Sequence, residues 1–217
     1  MEKQSKQKFL WAVCLLAAFV LWTLAVTRVD VQAIGPEGSS VGFAALNDAF
    51  HHLTGVHPAL YSLTDWLEVV PLGIVAGFAI LGLAQLIRRK SLLKVDYSIL
   101  VLGGFYVLVF AAYVLFEALA LNYRPVLIEG VLEASYPSST TLLVLCVMPT
   151  AVSQLNSRIR DERLKRGLTY AIVLFTAFMV LGRLLSGVHW LTDIVGGALL
   201  AAGLVTLYGA VLSIRRA

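Results

Sequence analysis

Arg183, His189 and Asp193 stand within eleven residues of one another in Gly182-Arg-Leu-Leu-Ser-Gly-Val-His-Trp-Leu-Thr-Asp193, in the apolar last third of the chain. His189 and Asp193 are four residues apart, so on a helix they lie one above the other on the same face. A carboxylate so placed can hold one imidazole nitrogen by a hydrogen bond and leave the other free to attack or to accept a proton. Arg183 adds a planar cation suited to two phosphate oxygens. Asp193 lies about one turn inside an apolar stretch, where a carboxylate needs a partner, and His189 is the nearest by spacing.

The elements that must position this cluster are membrane helices. The chain of 217 residues is 59% hydrophobic and 14% charged, with a mean hydropathy of +0.84. That is too apolar for a water-soluble domain, and the length suits a single domain over residues 1–217. Six stretches reach the roughly 20 residues that a bilayer requires, near 9–27, 69–87, 97–116, 138–156, 168–186 and 190–212. The expected fold is therefore an all-α bundle of six transmembrane helices. The first stretch follows Lys3, Lys6 and Lys8 like a signal peptide. Its run is longer than a signal core and has no clear cleavage site, so it reads as an uncleaved helix.

Basic residues give the expected orientation. Fourteen of the seventeen fall before span 1, between spans 2 and 3, between spans 4 and 5, or after span 6 as Arg215 and Arg216. Six crossings bring all of these to one side, which the positive-inside rule makes cytoplasmic, together with both termini. The net charge of +4 is accounted for by those loops and implies no nucleic-acid partner. Arg28, Arg124 and Arg183 are left for the opposite, outer side, where His189 opens span 6.

Two outer connections complete the layout. Residues 28–68 are too polar to span. Gly35-Pro36-Glu37-Gly38 reads as a turn, Ser39 or Ser40 as the cap of a short helix to about Leu53, and a second short helix should end near Trp66. Both are expected at the interface, covering the outer end of the bundle, with His51, His52 and His57 solvated or capping. The 117–137 connection carries Glu117, Arg124, Glu129 and Glu133 and ends in Tyr136-Pro137-Ser138-Ser139-Thr140-Thr141, a helix start. Its free N–H groups, with the Ser138 and Ser139 hydroxyls, make an anion site facing the same side as His189. Cys14 and Cys146 sit in apolar runs and read as reduced packing residues. No metal-ligand spacing is present, and no cofactor is expected.

These residues resemble the type 2 phosphatidic acid phosphatase superfamily, whose signature is Lys-x6-Arg-Pro, Pro-Ser-Gly-His and Ser-Arg-x5-His-x3-Asp. Here the third part is Gly182-Arg183-x5-His189-x3-Asp193, the first is Glu117-x6-Arg124-Pro125, and the second is Pro137-Ser138-Ser139-Thr140. The resemblance implies His189 as the nucleophile that takes a phosphoryl group and Asp193 as the group that fixes its tautomer. Arg124, Arg183, Ser138 and Ser139 would bind phosphate oxygens, without a metal. It implies a lipid phosphate as substrate within surrounding membrane lipids, and no feature sets an oligomeric state.

The departures bear on the substrate. Thr140 stands where the family pattern has a proton-donating His, and Glu117 stands in place of Lys. An alkoxide leaving a monoester needs an acid, whereas a phosphate leaving a diphosphate needs little help. The expectation is thus an isoprenoid diphosphate in preference to phosphatidic acid, unless Glu117 or Glu133 serves as the acid. A phosphotransferase using the same histidine, and a non-catalytic protein that binds or moves lipid phosphates, are the alternatives.

Overall fold

The computed structural model describes residues 2–214, with side chains from residue 5 onward, so Arg215 and Arg216 lie outside the described residues. Its helices are α1 (Glu2–Val26), α2 (Ala44–Thr54), α3 (Pro58–Trp66), α4 (Val69–Arg89), α5 (Tyr97–Leu119), α6 (Ser139–Arg158), α7 (Glu162–Leu185) and α8 (Leu191–Ile214). Among the described residues there are three isolated antiparallel bridges but no extended strand. Six spans are long and apolar enough to cross a membrane, one each in α1, α5, α6, α7 and α8 and one running from α3 through α4. The protein is an integral membrane helical bundle, as the hydropathy pattern requires.

Lipid tails are as apolar as leucine, so burial of apolar surface does little to hold such helices together. Close packing and interhelical hydrogen bonds must do it. The chain divides these tasks by helix. On α1, α4, α5 and α7 large apolar residues such as Leu21, Ile80, Phe110 and Leu174 face outward. In α6 and α8 about half of the membrane window is buried, 56% and 50%. α8 packs along both α1 and α6. At Gly197, where α8 crosses the start of α6, a Cβ would come within 3.0 Å of the Ser138 carbonyl oxygen and 3.2 Å of Thr141 Cβ. A larger residue would push the two helix starts apart.

Hydrogen bonds then fix the register. Thr23 Oγ1 and Tyr136 Oη are 2.7 Å apart, and the Trp22 indole donates to the Thr192 carbonyl over 3.2 Å. At the opposite end of the bundle the Gln154 amide donates to Tyr208 Oη at 2.6 Å and to the Ser98 carbonyl at 3.0 Å.

The 28–68 connection, the outer segment of the expected topology, holds the two expected short helices, but α2 begins later than the serine-cap reading has it. Its N-cap is Phe43, in a left-handed conformation, and the helix starts at Ala44. The reason is a remote acceptor. The Asp30 carboxylate accepts from Ala45 N–H at 2.8 Å, and the Asp30 carbonyl accepts from Ala44 N–H at 2.9 Å. First-turn donors served from another segment do not need a local serine. Those bonds to Ala45 and to Gln32 hold the Asp30 carboxyl below its usual range.

Candidate active site

The motifs come together where α6 and α8 begin. Trp190 stands at the N-cap of α8, and Asp193 Oδ2 reaches back to accept from Trp190 N–H at 3.0 Å, as the third-position carboxylate of a capping box does. The same Oδ2 lies 3.6 Å from His189 Nδ1. Asn122 donates to Asp193 Oδ1 over 3.4 Å. The Asp193 carbonyl accepts from Ser138 N–H at 3.0 Å, tying the two helix starts directly. Asp193 is fully buried and His189 is 3% exposed. Neither imidazole nitrogen has a hydrogen-bond partner of good geometry in the protein. Burial pushes the imidazole down to about 4, against the opposing pull of Asp193, so the ring is neutral at pH 7.

His189 sits in a loop whose shape depends on Gly187, at φ +72, where an added Cβ would meet Gly55 and Val56 of the outer segment. His57 N–H donates to the Ser186 carbonyl at 2.9 Å, and His51 Nε2 is 3.2 Å from the Gly187 carbonyl. The outer segment therefore packs on the loop that carries the imidazole. His57 Nε2 is 2.8 Å from the Thr54 carbonyl at the end of α2, and His52 is exposed beside Asp48, in keeping with solvated and capping histidines.

A cavity of about 210 Å³ is lined by His189, Arg124, Ser139, Glu117 and Glu133 together with Tyr113, Tyr136 and neighbouring residues. It joins the last turn of α5, the 120–138 connection and the first turn of α6. Arg124 is 8% exposed, and its Nη1 is buried without a hydrogen-bond partner. Its Nε lies 3.0 Å from Glu133 Oε2. Ser139 faces the cavity. Ser138 is completely buried, and its hydroxyl oxygen caps α6 by accepting from Thr141 N–H at 3.4 Å. Tyr136, in the same wall, is pushed up to about 12 by burial and stays a neutral phenol.

Arg183 is not among the residues that line this cavity. All of its donors are taken within the protein. Nε donates to Thr140 Oγ1 at 2.8 Å, and Nη1 reaches the Tyr61 carbonyl and Thr64 Oγ1 at 3.4 and 3.3 Å. Nη2 meets Asp65 Oδ1 at 3.1 Å and Glu68 Oε1 at 3.5 Å. The guanidinium that was expected to be open to phosphate is clasped by two carboxylates from the bend between α3 and α4. It remains close to the cavity, because Thr140 adjoins Ser139. The Tyr61 ring also lies beneath both guanidiniums, 4.8 Å from Arg183 and 5.9 Å from Arg124.

Asp65, Glu68 and Asn47 are polar residues of this region that sequence reasoning passed over. A signal existed for the first two. They are carboxylates three residues apart at the edge of an apolar run, where each calls for a cation or a donor. Glu68 has one in Thr140, whose hydroxyl donates to Glu68 Oε1.

A second cavity, of about 310 Å³, opens between α4, α5 and α6 and is mainly apolar, with Leu72, Val75, Val109, Phe110 and Val147 in its walls. It shares Tyr113, Ser139 and Leu142 with the first. Glu68 is the charged residue among those lining it.

Comparison with known proteins bears on the fold and the family. The chain matches, with a TM-score of 0.61 and 19% identity, the crystal structure of the first transmembrane PAP2 type phosphatidylglycerolphosphate phosphatase from Bacillus subtilis. The match covers 94% of this chain and 96% of that one, and it establishes a shared fold. A search among curated proteins finds no match. The sequence profile of the PAP2 superfamily matches residues 104–216, more than half of the chain and the whole stretch that holds the three motifs, so the protein belongs to the PAP2 superfamily.

Proposed function

We propose that the protein is a membrane lipid phosphatase that moves a phosphoryl group from its substrate to His189 and then to water. The observation that carries this reading is a buried imidazole in the wall of a cation-bearing cavity, with Nδ1 facing the fully buried Asp193. In the attack, Nε2 bonds to phosphorus as the bond to the leaving oxygen breaks, and the ring becomes a charged phosphohistidine. Asp193 stabilises that charge and keeps the proton on Nδ1. Arg124 Nη1 and the N–H groups at the start of α6 stabilise the non-bridging oxygens, with Ser139 beside them. Water then attacks phosphorus, the P–N bond breaks, and phosphate leaves. These residues carry out the chemistry by positioning and charge, with no metal in the scheme.

The joined cavities support a lipid substrate. A polar chamber fits a phosphoryl group, and the adjoining apolar groove fits the tail attached to it. A lipid diphosphate, such as an isoprenoid diphosphate, makes the least demand on the protein because phosphate is a weakly basic leaving group. It is the substrate expected to turn over fastest. By the positive-inside rule both termini are cytoplasmic and the site works at the outer face.

Phosphate release from lipid mono- and diphosphates by purified protein tests the reading, with trapping of phosphate on His189 as the direct check. Wild-type protein that binds such lipids yet releases no phosphate sinks it.

A further inference from the structure

From the position of Glu68 we infer that this carboxyl is the acid that protonates the leaving oxygen, supplying what Thr140 cannot and bringing alkyl phosphate monoesters within reach. The inference rests on the phosphatase reading above and adds to it a residue outside the three motifs.

With phosphorus at His189 and the tail in the apolar groove, the oxygen joining them stands at the shared wall of Tyr113, Ser139 and Leu142. Glu117 and Glu133 line the polar chamber on the phosphoryl side. Glu68 lines the groove on the tail side, and its hydrogen bond from Thr140 holds it one residue from Ser139. Of the three acids, it is the one on the leaving-group side.

Charge balance lets it carry a proton. Two carboxylates share the single Arg183 guanidinium, and Asp65 makes the nearer contact, 3.1 Å against 3.5 Å. Asp65 is also the more exposed side chain, 53% against 26% for Glu68. With Asp65 matching the cation, a second negative charge on Glu68 would have none of its own, so the less exposed group takes the proton. The bonds from Thr140 and Arg183 both fall on Oε1, leaving Oε2 to hold it.

The step balances. Nε2 of His189 forms the N–P bond, the P–O bond to the tail breaks, and the Oε2 proton passes to the departing oxygen to give an alcohol. The Glu68 carboxylate then takes a proton from the water that displaces the imidazole, and the starting state returns. Thr140 and Arg183 are positioning residues in this scheme.

The test measures kcat/KM for wild type, Glu68→Gln and Glu117→Gln on a long-chain alkyl phosphate, a lipid diphosphate and p-nitrophenyl phosphate, all in mixed micelles. Glu68→Gln should lose about 10²- to 10³-fold on the alkyl phosphate and less than about tenfold on p-nitrophenyl phosphate, whose leaving group needs no acid. An equal loss on all three substrates, no loss on any, or the selective loss in Glu117→Gln instead overturns the assignment. Should Glu68→Gln fail to fold, wild type still decides through a series of aryl phosphates. A shallow dependence of rate on leaving-group basicity supports an acid in place, and a steep one overturns it. Failure of the phosphatase reading looks different, because wild-type protein then releases phosphate from none of the substrates, and both inferences fall together.

Discussion

Asn47 holds Thr192 from two sides. Its Nδ2 donates to Thr192 Oγ1 at 2.9 Å, and its Oδ1 accepts from Thr192 N–H at 3.2 Å. Both residues are fully buried. The pair locks α2 of the outer segment to the first turn of α8, one residue from Asp193. Asn47 Nδ2 also donates to the Gly42 carbonyl at 2.8 Å. Asn47→Ala removes all three bonds and leaves buried partners unpaired, a loss of about 2–3 kcal/mol. The expected result is a lower melting temperature in detergent and a fall in turnover, since the α8 start no longer has a fixed seat. An unchanged melting curve would show that the pair does not hold the two helices.

Removing the imidazole and removing its orienting carboxylate should have different signatures. His189→Ala abolishes phosphate release and phosphohistidine formation while leaving lipid binding largely intact. Asp193→Asn keeps the side-chain shape but places an amide where a carboxylate faces Nδ1 and Trp190 N–H. Turnover should drop by about 10³- to 10⁴-fold, the size of effect seen when such a carboxylate is lost from a catalytic triad. Single-turnover kinetics with radiolabelled lipid separates the two.

The pH dependence follows from burial of His189. Its folded value of about 4 lies below the ordinary 6.5, so the nucleophile stays unprotonated well into the acid range. The acid limb of kcat/KM assigned to this group should fall near pH 4 and not near 6.5. The sign for stability is the reverse of that for a paired histidine. Protonation is easier in the unfolded chain, so stability is lost as pH falls from about 6.5 towards 4 and levels off below that. Rate and melting temperature measured from about pH 2.5 to 8 check both statements.

Glu133 competes with substrate for Arg124. Glu133 Oε2 lies 3.0 Å from Arg124 Nε at the cavity wall, so its negative charge offsets the guanidinium's pull on a phosphate arriving at Nη1. Glu133→Gln should tighten inhibition by vanadate or inorganic phosphate several-fold, whereas Arg124→Ala should weaken it. Isothermal titration at two salt concentrations reads this directly, because the competing ion pair is partly screened in high salt. Weaker anion binding by Glu133→Gln would reverse the assignment.

The fold was legible because its signals are coarse and physical. Runs of about 20 apolar residues and alternating basic loops leave few arrangements for six spans. The His189–Asp193 pairing was readable from its spacing, but not for the helical reason: His189 lies in the loop before α8, and the Asp193 side chain reaches back over the helix start to face it. Arg183 shows where such reading ends. Its motif gives the residue and the end of the bundle, but not its partners. Asp65 and Glu68 reach it from more than a hundred residues away in sequence, and that approach is set by how α3 bends into α4. The late start of α2 has the same cause, because Asp30, and no neighbouring serine, serves its first turn. Local rules find helices and faces. Polar contacts made across the bundle appear only when the chain is packed.

The wall common to the two cavities has a kinetic consequence. A chain that keeps its hydrocarbon in the groove while its headgroup reacts never has to leave the bilayer, so the quantity that governs encounter is its mole fraction among neighbouring lipids and not its amount per volume of buffer. For a lipid phosphate bound in this way, the phosphate product would leave to water and the shortened lipid would diffuse away within the bilayer. In the proposed scheme the lipid must move aside first, because water reaches phosphorus from the side that the leaving group vacates.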